Sequence, residues 1–165
     1  MSITAQIASN CTVVETLDGN IDSAPAGTRK ITHSSFNESV TLDADSTPPA
    51  TKTANFVFTL DDSGGTKSLD LNALVGTNAA VVDGEDLKVQ YCKINNISDN
   101  TVKINYGAST SYDMMGADFV INLLAGQWFG FYGNDATPDI EGGVTDLIDF
   151  TGTEADTFEI TIVMG

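Results

Sequence analysis

Acids come first among the residues of this chain able to do chemistry. Twenty-three Asp and Glu stand against seven Lys and Arg, for a formal net charge of -16. They gather in loop-like stretches: Asp43 and Asp45 in "DADS", Asp83, Glu85 and Asp86 in "DGED", and Asp135, Asp139 and Glu141 in "GNDATPDIE". Carboxylates and carbonyls on flexible loops are calcium ligands, so Asp43, Asp45, Asp83, Asp135 and Asp139 are the metal candidates, although none falls in EF-hand spacing. The close pairs, with Asp61/Asp62 and Asp146/Asp149 added, would act as glycosidase acids only if two of them converged on a cleft. Loop acids at this density otherwise cap turns or face water.

Nucleophilic catalysis finds little to work with. The lone histidine, His33 in "KITHSSF", has serines beside it but no nucleophile elbow. No H-E-x-x-H, phosphate-cradling loop or dinucleotide fingerprint occurs. "GGVTDLIDFTG" has two glycines but no following helix. Cys11 and Cys92 lie far apart, which predicts two buried free thiols rather than a disulfide or a metal site. The sequons at Asn10, Asn37 and Asn96 carry weight only in a secreted protein. No catalytic residue is assigned, and no enzymatic activity is expected.

The remaining chemistry is aromatic. "LLAGQWFGFYGND", 123–135, holds the single tryptophan and four of the thirteen aromatics. "AGQ" reads as a turn, so "WFGFYG" begins a strand and alternation divides the cluster. Phe129 and Phe131 enter the core, while Trp128 and Tyr132 share the opposite face across Gly130. That second face has three possible fates: a ligand platform of the kind sugar-binding modules use, a subunit interface, or packing under a loop of the chain itself.

Charge narrows the partners. Lys103 is the last basic residue, and ten acids follow it. Nucleic-acid affinity rests largely on Lys and Arg displacing counterions, so nucleic acid is excluded as a partner, and anionic membranes are disfavoured for the same reason. The acidity itself fits solubility, a saline habitat, or a polycation or Ca²⁺ partner. The opening "MSITAQIASN" shows no basic or apolar leader region, and no apolar run reaches the length of a membrane span. Synthesis and folding in a reducing cytoplasm are expected.

Period two organises the elements that carry these groups. "ITAQI", "NFVFTL", "LKVQY", "TVKINYG" and "TFEITIVM" alternate apolar with polar positions: Phe56, Phe58 and Leu60 on one face, Leu87, Val89 and Tyr91 on another, then Val102, Ile104 and Tyr106, then Phe158, Ile160, Ile162 and Met164. Gly, Asn and Asp punctuate them at 18–20, 61–65, 83–86, 98–100, 133–135 and 141–143. "NNISDNT" predicts a hairpin between the strands at 87–94 and 101–106. Only "LDLNALVG" (69–76) and "SYDMMGADF" (111–119) hint at helical turns. The pattern predicts an all-β fold, an antiparallel β-sandwich of jelly-roll type, with one domain over 1–165. Residues 1–45 read as an extended N-terminal arm or edge hairpin. Residues 46–53, with Pro48 and Pro49, read as a loop, and 54–165 as the compact core.

The stretch "TKSLDLNALVGTNAAVVDGEDLKVQYCKINNISDNTVKINYG", with "LLAGQWFGFYGNDATPDI" and the ending "IDFTGTEADTFEITIVMG", resembles small tailed-phage virion proteins with β-sandwich bodies, over roughly residues 50–165. Such proteins decorate or cement a capsid, or form the base of a spike or fibre. The resemblance implies a non-enzymatic structural role in a virion assembled in the host cytoplasm. It also implies homo-oligomers, a trimer being the favoured guess, that bind the major capsid protein or another virion protein. It carries over no catalytic or ligand residue.

Overall fold

The computed structural model describes residues 3–17, 29–32, 36–61, 64–105, 110–116 and 119–165. His33, Asp62, Tyr106 and the turn expected at 18–20 lie outside these. In chain order the strands are β1 (Ala5–Cys11), β2 (Val14–Leu17), β3 (Arg29–Thr32), β4 (Phe36–Leu42), β5 (Lys52–Thr59), β6 (Thr66–Asp70), β7 (Leu74–Val75) and β8 (Val81–Val82). They continue with β9 (Val89–Asn96), β10 (Val102–Asn105), β11 (Val120–Leu123), β12 (Trp128–Tyr132), β13 (Leu147–Thr151) and β14 (Thr157–Met164). Among the described residues there is no α-helix, only a 3₁₀ turn at Thr77–Ala79. The fold is all-β, as the alternation predicts.

Two four-stranded antiparallel sheets form the body, in the orders β12-β9-β14-β5 and β11-β10-β13-β6. Their pairing follows a simple rule. Of the eight body strands the first pairs with the last (β5 with β14), the second with the seventh (β6 with β13), the third with the sixth (β9 with β12) and the fourth with the fifth (β10 with β11). These are the rungs of one long hairpin rolled over, so that alternate rungs fall in opposite sheets. The pairs β9·β14 and β10·β13 then join the rungs of each sheet.

Register turns alternation into layers. In the first sheet the inward rows are Phe131–Cys92–Ile162–Ala54 and Phe129–Ile94–Ile160–Phe56, followed by Asn96–Phe158–Phe58. The second sheet answers with Ile104, Ile148, Phe150 and Leu123, all buried. Phe150 packs between Phe58 and Phe158, with ring centroids 5.2 and 5.1 Å apart and tilted planes. Tilted aromatic contact of this kind adds about 1 kcal/mol to the area it removes from water. Tyr112 is fully buried beside this core. Its hydroxyl donates to the Pro138 carbonyl (2.7 Å) and accepts from the Val89 amide (3.1 Å), which supplies the partners a buried phenol needs.

The N-terminal third folds back on itself. β1 pairs antiparallel with β4 and β2 with β3, and the register offset changes by one residue between the two pairs, making a two-stranded ribbon. Its base packs on the outside of the first sheet: Ile3, Ala5, Ile7, Val40 and Leu42 lie against Val163, Tyr91 and Ala50. Farther along β1, Ala8, Ser9, Asn10 and Cys11 are all exposed, and so are Val13 and Val14.

Four expectations are corrected. "NNISDNT" is not a hairpin, because β9 and β10 belong to different sheets and residues 97–101 cross from one to the other. The 87–91 run does not keep one phase. Cys92 and Ile94 point inward and Tyr91 outward, and a register shift between Val163 and Met164 lets Val89 face the core as well. A bulge of this type moves side chains between faces. The hint of helix at 69–76 gives way to β7, with the 3₁₀ turn just beyond it. Cys92 is buried as expected, but Cys11 is exposed, because it lies at the end of β1 beyond the residues that pack on the body.

Candidate functional site

The outer face of the β12-β9-β14-β5 sheet is built by the residues that alternation turns away from the core. Its rows are Tyr132–Tyr91–Val163–Thr53, then Gly130–Lys93–Thr161–Asn55, then Trp128–Asn95–Glu159–Val57. The first row is partly roofed by the ribbon, leaving Val163 only 3% exposed. The other two rows are open. Trp128 is 64% exposed and Val57 59%, and Tyr132, at the unroofed end of the first row, 50%.

Local geometry spreads the tryptophan over the sheet. Gly126 adopts a left-handed φ of 73° in the turn that delivers the chain into β12. Gly130 leaves room for the indole, since a Cβ there would come within 3.1 Å of the ring. The Lys93 amine sits 5.4 Å from the centroid of the Trp128 ring, a cation–π contact. Asn95 donates to Glu159 (3.0 Å) in the row that holds Trp128. A shallow hollow of about 440 Å³ lies across Asn55, Val57, Lys93, Asn95, Glu159 and Thr161. Beside it a groove of about 490 Å³ runs between β1 (Ile7, Ala8, Ser9, Asn10) and Trp128, Gly130 and Tyr132, with Tyr91 and Phe131 completing the lining.

β12 is also the end of its sheet, pairing only with β9 among the described strands. The Asn96 amide donates to the Gln127 carbonyl (2.9 Å) and the Gly133 amide to the Gln90 carbonyl (2.8 Å), so the odd positions of β12 bond inward. Backbone direction alternates along an antiparallel strand, and the N–H and C=O of Trp128, Gly130 and Tyr132 therefore point off the edge. Phe129 and Phe131 pack against the core, and Trp128 and Tyr132 stand outside it, as alternation requires.

The loop acids occupy different positions. Asp43 accepts from the Asp45 amide and the Ser46 hydroxyl, Asp83 accepts from the Glu85 amide, and Asp139 lies 3.3 Å from Lys88, which also donates to the Asp135 carbonyl. These are turn caps and a lysine clamp. Among the described residues no three His, Cys, Asp or Glu side chains gather to hold a metal. The two buried acids act likewise: Asp146 accepts from the Gly143 amide (2.7 Å), and Asp156 from the Thr153 amide (2.6 Å) and the Asn100 side chain (2.8 Å).

Two features escaped the sequence. Asn96 is fully buried, its amide donating to the carbonyls of Asn100, Leu123 and Leu124 while its oxygen accepts from Ser98. This sequon is a clamp tying the 97–101 crossing to the turn before β12, and its side chain is closed to modification in the folded state. The ribbon's seat is the other: Val163 breaks the polar phase set by Thr157, Glu159 and Thr161, but the outward Val57 on the same face is exposed, so a valine alone does not mark the covered spot.

No helix among the described residues is long and apolar enough to cross a membrane. Comparison with protein-family models, curated proteins and solved structures finds no match to this chain.

Proposed function

We propose that this chain is a non-enzymatic structural protein of a phage particle, which associates with copies of itself and with the capsid or neighbouring virion proteins. The observation that carries the reading is β12, an uncharged aromatic strand left open at one end of its sheet among the described residues. Soluble monomers blunt such edges with Lys, Pro or charge, and an unblunted one is a pairing site. The projecting ribbon supports it, since a two-stranded arm is suited to reaching a neighbour. So does the rolled-hairpin pairing of the body, which we read as a jelly roll, an architecture that capsid proteins use. The acidic charge suits an outer position on a particle, away from packaged DNA.

Expressing the chain together with the genes that flank it, then separating the lysate on a density gradient, tests the reading. Banding with particles visible by electron microscopy is the expected result. Recovery only as free protein at the top of the gradient overturns it.

A carbohydrate-binding role is the second reading, favoured by the open Trp128 and Tyr132 side chains beside a groove. It requires quenching or a shift of tryptophan fluorescence when polysaccharide is added. A flat titration across a glycan panel removes it.

A further inference from the structure

We infer that β12 pairs with β12 of a second copy of this chain, antiparallel about a two-fold axis opposite Gly130, joining two four-stranded sheets into one of eight strands. The inference rests on the self-association part of the proposed function and names the surface and the partner.

Geometry comes first. The backbone groups that point off the edge belong to Trp128, Gly130 and Tyr132, evenly spaced around Gly130. Turning the strand about an axis at Gly130 sets Trp128 opposite Tyr132 of the partner subunit, and Gly130 opposite its own counterpart. All three positions then meet as hydrogen-bonded pairs, because each side presents the same parity. The strand is complementary to itself, which an isologous interface demands. The facing Trp and Tyr fall on the same side of the joined sheet, within cross-strand reach.

Charge selects the partner. Two chains of net charge -16 repel over most of their surfaces. Residues 119–134 form the longest stretch of the chain without a charged residue, between Asp118 and Asp135. This stretch supplies both β11 and β12, one end strand of each sheet, and places Val120, Leu124, Trp128 and Tyr132 at the surface. A copy docking here meets no like charge on the strand it touches, whereas a basic partner would be drawn to the acidic faces instead. β1 also carries no charge, and exchange of ribbons between copies is the rival arrangement.

Analytical ultracentrifugation of the full chain, with hydrogen exchange read amide by amide, tests the pairing. A dimer is expected. It should tighten as salt rises from about 0.01 M to about 1 M, because the screening length falls from about 30 Å to about 3 Å. The amides of Trp128, Gly130 and Tyr132 should lose protection on dilution, while those of Phe129 and Phe131 keep it. Gly130→Pro removes an off-edge donor without touching the bonds to β9, and Trp128→Glu places a carboxylate on the seam. Each should weaken the dimer more than about tenfold, with the circular dichroism spectrum unchanged. If the proline variant does not fold, the glutamate variant and the exchange pattern still decide. A trimer overturns the inference. So does a dimer that survives both substitutions, whose pairing then lies elsewhere, as in ribbon exchange. A monomer at every salt concentration that still bands with particles overturns the pairing alone and leaves the virion role standing.

Discussion

The two sheets of this protein have matching interiors and unlike exteriors. Inside, both present an aliphatic and aromatic layer, and Phe150 of one sheet fits between Phe58 and Phe158 of the other. Outside, the β11-β10-β13-β6 sheet shows Lys103, Asn105, Asn122, Asp149, Thr151, Ser68 and Thr66, polar but for Val120 at its edge. The β12-β9-β14-β5 sheet sets Trp128, Tyr132, Tyr91, Val163 and Val57 among the polar Asn55, Lys93, Asn95, Glu159 and Thr161. Protein covers part of the second exterior: the ribbon lies over Val163 and, in the pairing inferred above, a second copy meets β12. The inward half of a strand pattern makes the sandwich, and the outward half says what the sandwich meets.

Substitutions break that contrast in order of cost. Phe150→Ala should lower unfolding free energy by about 3–5 kcal/mol, since the site is closed on every side and leaves a cavity. Urea denaturation followed by tyrosine and tryptophan fluorescence measures it. A loss under about 1 kcal/mol would mean the two interiors are not packed as one core. Asn96→Ala should cost about 2–3 kcal/mol, because the Asn100, Leu123 and Leu124 carbonyls lose their donor where little water can replace it.

The cysteines sharpen the comparison by titration. Burial against the core pushes the Cys92 thiol from near 9 up to about 12, since desolvation penalises the thiolate. The folded protein therefore holds that proton while the unfolded chain releases it. Stability from this group is intact below about pH 9 and falls by about 1.4 kcal/mol per pH unit above it, until the folded thiol also ionises near pH 12. Tyr112, raised mainly by burial as well, adds a loss of the same sign above the ordinary phenol range. A stability series between pH 8 and 11 should show the fall, with a shallower slope in Cys92→Ala. Thiol labelling at neutral pH should reach Cys11 alone until denaturant is added.

How much of this was legible follows from what period two encodes. Alternation assigned Phe56, Phe58, Ile104, Ile160 and Ile162 to the interior and put Trp128 and Tyr132 outside, because each depends only on the strand that carries it. It failed where a second element intervenes. Val163 is an outward residue buried, and Tyr91 one partly covered, by a ribbon far away in sequence, and the crossing at 97–101 reads as a hairpin because turn residues do not record which sheet the chain enters next. The acids were readable as turn caps one at a time, but their separation across the molecule was not. The candidate face was visible as a list of aromatics, and its open edge came only from strand order.

The smallest expected effect is the most telling one. Ile7→Ala, at the half-buried base of the ribbon, should cost about 1 kcal/mol, well below a core deletion. Trp128→Ala should cost still less in folding the isolated chain, about 0.5 kcal/mol, because its ring leaves water only where it lies over Gly130 and near Lys93. Measured at concentrations where copies associate, the same substitution should cost more, since the dimer adds its binding energy to the folded side. The gap between the two measurements isolates what the outer face contributes. Equal values at all concentrations would place Trp128 outside any interface and make the two exteriors differ in composition only.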